Sequence, residues 1–161
     1  MSVEAVRQYL KPFGLEDRVQ EHEQPIDTVT HAAQVLACQE RQILKSMTFL
    51  VREQPILIAL AGDARVDNRK FKNCFQSRVK MIPFDQVETS IGHAPGGVTP
   101  FAVNSGVQVY LDESLRRFTT VYAAGGSLQS TIARSIPELE QATQAQGWVD
   151  VGKGWQLENS K

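Results

Sequence analysis

The chain has 161 residues, 42% of them hydrophobic, which is enough for one domain with a core that needs neither disulfides nor a metal ion. With 17 basic and 18 acidic residues its net charge is −1, which argues against a protein permanently coated with nucleic acid but permits transient contact. The two cysteines and three histidines lack the spacing of a zinc site, so we expect no metal and no cofactor.

The amino-terminal residues lack the apolar segment of a signal peptide, and no run approaches the roughly 18 apolar residues of a membrane span. These features predict a cytoplasmic protein. In that compartment Cys38 and Cys74 are expected to be free thiols, buried as small apolar side chains.

The first third of the chain predicts two helices and a hairpin. Apolar residues at helical spacing predict a helix over residues 2–11. Thr30 is the predicted N-cap of a second helix, which ends near Cys38. Two apolar runs, over residues 48–51 and 56–61, flank a polar turn and indicate a hairpin whose second strand is central in a sheet.

The middle of the chain predicts a helix, a strand and a shorter helix. Asp67 is the predicted N-cap of a helix over residues 68–75. Apolar residues predict a strand over residues 79–82. The spacing of Asp85 and Glu88 has the form of a capping box, which predicts a short helix leading into a glycine-rich loop.

The last third predicts two strands and a helix. Alternation indicates a strand over residues 107–112, and another is predicted over 118–123. Ser135 begins a capping box and opens a helix to about residue 146. Hairpins intermixed with helices, without a GxGxxG motif, predict a single α/β domain with α+β character. It spans residues 1–161 and has a mixed, twisted sheet flanked by helices.

The loop over residues 92–101 is the first candidate for a site. Adjacent glycines, Gly96 and Gly97, allow main-chain N–H groups to converge on one concavity, where an oxyanion or a phosphate could bind. The alternative is that these glycines only form a tight connection between two elements.

Lys45 stands among apolar neighbours just before the first strand of the hairpin. It is either an ordinary lysine with its ammonium in water or a cation at the mouth of a pocket.

The segment of residues 63–80 contains six basic residues and only two acidic ones. That segment is either a solvated helix face or a docking surface for a nucleic-acid backbone.

No side chain stands out as a catalytic nucleophile. The chain lacks a Gly-x-Ser-x-Gly motif, and both cysteines occupy positions that suit the core. His93, inside the glycine-rich loop, could act as a base, although a single loop histidine more often faces solvent or caps an element.

Several of these features occur together in a known order. They are Lys45 before an apolar strand, the Ala-Gly-Asp at 61–63, the loop at 92–101, the Val-Tyr-Leu-Asp at 109–112, and the Gly-Gly at 125–126. In this order and spacing the chain resembles the YbaK-type domain from about residue 28 to 139. The family contains bacterial aminoacyl-tRNA deacylases related to the editing domain of prolyl-tRNA synthetase.

The resemblance implies a mixed sheet with a cleft between Lys45 and the glycine-rich loop. It also implies hydrolysis of mischarged tRNA, in which loop amides hold the ester carbonyl and the 2′-hydroxyl of the terminal adenosine helps to activate water. The catalytic residues carried over are Lys45, Gly96, Gly97 and Val98. The substrate-binding residues are Thr30, Ser46, Thr99, Pro100, Phe101, Gly125 and Gly126, and Arg69, Lys70 and Lys72 would receive the tRNA.

Three positions depart from the subgroups of that family. Ser46 stands where cysteine-specific members have Thr and alanine-specific members have Asn, Thr131 stands where the former have Asp, and Gln20 replaces a Tyr. These differences argue against specificity for a cysteinyl ester. The expected partners are an aminoacyl-tRNA and prolyl-tRNA synthetase. The alternative is a non-catalytic module that keeps the pocket and only binds tRNA or an aminoacyl ligand.

Overall fold

The structure is a computed structural model that describes residues 3–23, 25–26, 28–95, 98–125 and 129–155. Its α-helices are α1 (Val3–Leu10), α2 (Val29–Leu36), α3 (Asn68–Phe75), α4 (Val87–Ile91) and α5 (Ile136–Thr143). Its strands are β1 (Val19–Glu21), β2 (Leu44–Val51), β3 (Gln54–Ala61), β4 (Arg65–Val66), β5 (Gln108–Asp112), β6 (Thr120–Ala124), β7 (Ser130–Ser135), β8 (Gly147–Val149) and β9 (Gly152–Lys153).

The strands form three sheets. The largest has the order β2-β3-β5-β8, in which β2 and β3 are antiparallel while β5 runs parallel to both β3 and β8. A second, antiparallel sheet has the order β1-β7-β6, and β4 pairs with β9. A parallel bridge between Ile43 and Tyr122 joins the two larger sheets. The predicted mixed α/β domain is confirmed.

The β2–β3 hairpin separates two packed faces. Arg52 and Glu53 form its turn with φ of +49° and +69°, the left-handed conformation that a two-residue hairpin turn uses. Met47 and Phe49 of β2 pack on one face with Phe71 of α3. The other face carries Leu44 and the rest of the core. As predicted, β3 is central, because β2 and β5 cover its two edges.

Two of the predicted helix caps are present and two are not. Asp67 caps α3 by accepting a hydrogen bond from the N–H of Lys70, and Ser135 forms a capping box with Glu138 at the start of α5. Thr28 caps α2, so the prediction of Thr30 is wrong by two residues. The segment Phe84–Gln86 is a 3-10 helix without a side-chain cap, so the capping box predicted at Asp85 does not form.

Several further features of the structure differ from the sequence-based predictions. Residues 79–82 are not a strand: Met81 makes one isolated bridge to Phe49 beside the free edge of β2. Strand β7 was missed, and α5 ends at Thr143 rather than near residue 146. Cys74 is exposed rather than buried, and Cys38 is partly buried.

Asp112, the last residue of the Val-Tyr-Leu-Asp segment, is buried and binds main-chain groups of a later segment of the chain. Its carboxylate accepts hydrogen bonds from the main-chain N–H groups of Ser114, Val151 and Gly152. The side chain therefore fastens the last described segment to the main sheet. In the part of the chain that the structure describes, every helix falls short of the length and apolar character that a membrane crossing requires.

Candidate active site

A cavity of about 410 Å³ lies between α2, the first half of β2, the glycine-rich loop and the β6–β7 hairpin. This size is typical of small-ligand sites. Its apolar wall comes mainly from α2 and the residues around it: Ile26, Val29, Ala32, Leu36, Ile43, Leu44 and Tyr122. The amphipathic pattern of α2 thus serves the cavity as well as the core.

Hydroxyl groups interrupt this apolar lining. Ser46 and Thr48 contribute from β2, Ser130 and Thr131 from β7, and Thr28 from the N-cap of α2. Ala123 and Ala124 complete the β6 side, and Val87, Pro95 and Val98 close the cavity from α4 and the loop. Small hydroxyls in an apolar wall can orient a polar ligand through a few hydrogen bonds.

Lys45 borders the cavity, but its ammonium points away from Ser46. Successive side chains of a strand point to opposite faces, so Lys45 shares the face of Met47. Its Nζ donates a hydrogen bond to the carbonyl of Ala64. Burial lowers the pKa of Lys45, and the charge of Asp63 acts in the opposite direction. The cation expected at the cavity mouth is therefore held by a backbone carbonyl in this structure.

The turn that carries the Ala64 carbonyl is fixed on both sides. A Cβ on Gly62 would lie 2.0 Å from the carbonyl oxygen of Glu40, so only glycine fits this close approach. The carboxylate of Asp63 accepts two hydrogen bonds from Arg117, at 2.6 and 3.0 Å. The turn at Gly62 and Asp63 thus fixes the position of the Ala64 carbonyl that accepts the hydrogen bond of Lys45.

Thr131 has a partner that the sequence reasoning missed. The Nε2 atom of His22 lies 2.9 Å from its Oγ1, and the main-chain N–H of His22 donates to the carbonyl of Gln129. Gln20, predicted to replace a family tyrosine, is exposed on β1. No local pattern joins His22 to Thr131, because only the pairing of β1 with β7 brings them together.

The glycine-rich loop contributes Pro95 and Val98 to the cavity. It begins at Gly92, whose φ of +103° ends α4. Gly96 and Gly97, the predicted amide donors, lie outside the described residues, as does Gly126. Gly125 is buried next to the cavity rather than in its lining, and a Cβ there would lie 2.8 Å from the Oγ of Ser130.

Besides Gly125, four predicted substrate-binding residues do not line the cavity. Thr30 is exposed on α2, one position beyond the lining residue Val29. Thr99, Pro100 and Phe101 are buried. Phe101 is an aromatic side chain without a polar group and belongs to the main core cluster. Pro95 and Val98, in the middle of the loop, therefore line the cavity, and the residues after them anchor the loop in the core.

His93 is part of that anchor. It is fully buried, and its Nε2 lies 2.7 Å from the carbonyl oxygen of Phe101. Burial lowers the pKa of His93. The expectation of a histidine facing solvent is wrong, and His93 is not among the described residues that line the cavity.

The basic residues of α3 lie on the other side of the main sheet. Phe71 of this helix packs on the β2 face opposite to Ser46. Lys70 is occupied by Asp150 at 3.0 Å and by the carbonyl of Gly152 at 2.9 Å. Arg69 and Lys72 are exposed. The predicted tRNA-binding residues thus do not adjoin the cavity.

Among the residues that the structure describes, no group of three or more histidine, cysteine, aspartate or glutamate side chains could hold a metal ion.

The fold and cavity together define a mixed α/β domain with an apolar, hydroxyl-bearing ligand cleft. Residues 23–142 match the model of the aminoacyl-tRNA editing domain, and the chain belongs to that family. The resemblance to the YbaK-type domain is confirmed.

Known proteins similar to this chain agree with that family. The uncharacterized protein YwhH of Bacillus subtilis (strain 168) is 38% identical over 157 residues, which cover 97% of this chain and 100% of that protein. The proline–tRNA ligase of the same organism is 24% identical over 103 residues, covering 63% of this chain and 18% of the ligase. The crystal structure of a proposed trans-editing enzyme for prolyl tRNA synthetase has a TM-score of 0.86 and 29% identity, covering 94% of this chain and 97% of that one.

Proposed function

We propose that this protein is a free-standing deacylase that hydrolyses the ester of a mischarged tRNA, with tRNAPro carrying a small amino acid as the first substrate to test. The observation that carries this proposal is the cavity between β2 and the glycine-rich loop, in a chain of the editing-domain family. Its size suits an aminoacyl group together with part of the terminal ribose.

The reaction needs water and no cofactor. The oxygen of water attacks the ester carbonyl carbon, and the carbonyl becomes a tetrahedral oxyanion. The bond to the ribose oxygen then breaks, that oxygen takes a proton, and free amino acid and uncharged tRNA leave. An aminoacyl ester is already activated, so holding the oxyanion and orienting the water can suffice without a protein nucleophile.

The roles follow from the cavity and from the family resemblance. Main-chain N–H groups of the loop at Gly96, Gly97 and Val98 stabilise the oxyanion, and the substrate 2′-hydroxyl helps to activate the water. Lys45 exchanges its hydrogen bond to Ala64 for one to the substrate's phosphate or acyl end. Ser46 and Thr131 bind the amino acid through their hydroxyls.

The lining favours a small, uncharged amino acid. Among the described residues that line it, the apolar side chains and hydroxyls offer no carboxylate to a basic side chain, and Lys45 holds its ammonium on the opposite face of β2. Alanine, serine and threonine esters are therefore the leading candidates. Selection by size in an apolar site gives only about 10- to 200-fold discrimination per methylene group, so the preference is expected to be graded.

The test is ester loss from tRNAPro charged with alanine, serine, threonine, cysteine or proline. The parent protein should accelerate the loss of at least one non-cognate ester. Lys45→Ala should lower kcat/KM by about 10- to 100-fold, because it removes one charge-assisted hydrogen bond to the substrate's phosphate or acyl end. Lys11→Ala is the matched control, because that lysine is exposed and does not line the cavity, and it should keep the parent rate. Equal rates for the parent and Lys45→Ala would contradict the role of Lys45.

A non-catalytic binding module is the second candidate. The hydrogen bond of Lys45 to Ala64 favours it, because an ammonium held by a carbonyl is not free for substrate. A parent protein that binds charged tRNA but hydrolyses none of the panel would support this candidate and overturn the first.

A further inference from the structure

We propose that Phe84, with Lys80 beside it, forms the landing surface for the unpaired 3′ nucleotides of the aminoacyl-tRNA. This inference rests on the proposed function, since it requires that the aminoacyl end occupies the cavity. Phe84 stacks with an unpaired base, and Lys80 contacts the phosphate backbone.

The exposure of Phe84 is the first observation. Its surface is 79% exposed, against 54% for Met81 and 45% for Val35, the other exposed large apolar residues of the described chain. An aromatic ring left in water is a ready surface for a nucleic-acid base, because every base has a flat face that stacks on an aromatic side chain.

The position of Phe84 is the second observation. The N–H of Ile82 donates to the carbonyl of Thr48, a lining residue, so the segment before Phe84 is tied to the cavity edge of β2. Val87, three residues after Phe84, is itself in the cavity wall. The segment that carries Phe84 is therefore attached to the cavity wall on both sides, two residues before Phe84 and three residues after it.

The charges around Phe84 determine the path that the 3′ strand of the tRNA would take. The side chain of Lys80 is 62% exposed, and its only described ion pair is a 4.0 Å contact to Glu53, which is 88% exposed. Exposed Arg78 adds a second positive charge two residues before Lys80, whereas Asp85 follows Phe84 directly and is exposed. Phosphate contacts therefore favour a path over Lys80 and away from Asp85.

The first experiment separates KM from kcat with charged tRNAPro. Phe84→Ala should raise KM by about 5- to 100-fold with little change in kcat, the range expected for losing one base–aromatic stack. Phe84→Tyr should restore the parent KM because it keeps the ring. Val35→Ala truncates another exposed apolar side chain and is the matched control, with an unchanged KM.

The second experiment uses Phe84→Trp as a fluorescent probe. Stacking should quench the added tryptophan emission when uncharged tRNAPro is added, relative to the parent protein with Trp148 and Trp155 alone. The same tRNA trimmed of its unpaired 3′ nucleotides should cause no such quenching.

The outcomes distinguish this inference from the proposed function. Hydrolysis by the parent with the same KM in Phe84→Ala, or quenching that persists with trimmed tRNA, would overturn the landing surface and leave the deacylase intact. A parent that neither hydrolyses nor binds tRNA would overturn both.

Discussion

The imidazole of His93 is enclosed by the protein and ties the start of the glycine-rich loop to its end. Because the Phe101 carbonyl can only accept a hydrogen bond, Nε2 carries the ring proton. Nδ1 is buried, and no described group pairs with it. A second proton there would bring a buried charge without a partner, which is why burial lowers the pKa of His93.

This burial predicts an acid-sensitive contribution to stability. The folded-state pKa of His93 lies below the ordinary value of about 6.5, so as pH falls the unfolded chain binds a proton first. Stability should fall below about pH 6.5, with a slope from this group of at most about 1.4 kcal/mol per pH unit. Urea unfolding between about pH 8 and pH 5 should show a shallower loss in His93→Gln than in the parent. Equal slopes in the two proteins would contradict this account.

Ala32 is the residue where the size of the cavity can be altered most simply. It is buried on α2 and lines the cavity. Ala32→Leu should lower kcat/KM for seryl and threonyl esters by at least about tenfold more than for the alanyl ester, because the added side chain takes space from the larger acyl groups. Gln34→Leu adds a leucine to the exposed side of the same helix and should change none of the ratios. A uniform loss across all three esters would show that Ala32 does not contact the amino acid.

The role of a single residue could be predicted only where its type is unusual for its surroundings. Lys45 was recognised because a lysine among apolar residues is unusual, and it does border the cavity. Its direction was not predictable, because β2 begins at Leu44 rather than near residue 48, and a strand's start decides which side chains share a face. By residue type Thr28 and Thr30 are equally good N-caps, and only the hydrogen bond that the His31 N–H donates to Thr28 distinguishes them.

At the scale of elements, the turn between β3 and β4 carries the Ala64 carbonyl that accepts the hydrogen bond of Lys45. Gly62→Ala would drive a Cβ into the Glu40 carbonyl, at a cost of about 1–3 kcal/mol in the free energy of unfolding. It should also lower deacylation, because a displaced turn would no longer position Lys45 beside the cavity before substrate binds. Gly147→Ala is the control: no described atom lies within 4 Å of its Cβ position, and its stability and activity should match the parent. Thermal unfolding and ester hydrolysis measure both effects, and an unperturbed Gly62→Ala variant would contradict the support role of this turn.

Elements with a regular pattern were predicted, and those with mixed faces were not. The β2–β3 hairpin and α3 have clear apolar periodicity and a cap or turn at their ends. Strand β7 was missed because Arg134, on its inward face, is fully buried with its guanidinium 4.8 Å above the ring of Phe101. Burial lowers the pKa of this arginine to about 10, so it stays charged at neutral pH, and a buried charge in a strand breaks the apolar alternation on which prediction depends.

At the scale of the whole molecule, the cavity is built from segments far apart in the chain. Val29, Ser46, Val98 and Thr131 meet there only because α2, β2, the loop and β7 converge. The class of fold and the general place of the site could be inferred from the sequence. Its apolar wall, and the placement of Arg69 and Lys72 behind the sheet, depend on the arrangement of sheets and helices, which no local pattern encodes.

The central claim is that this cavity hydrolyses the ester of a mischarged tRNA. The most direct measurement is single-turnover loss of the acyl group from tRNAPro charged with alanine, serine or threonine, with the parent protein in excess and prolyl-tRNAPro as the cognate reference. The account predicts that at least one of the three small esters is cleaved faster than the prolyl ester and faster than in buffer. Loss of all three at the rate seen in buffer, with the protein folded, would contradict it.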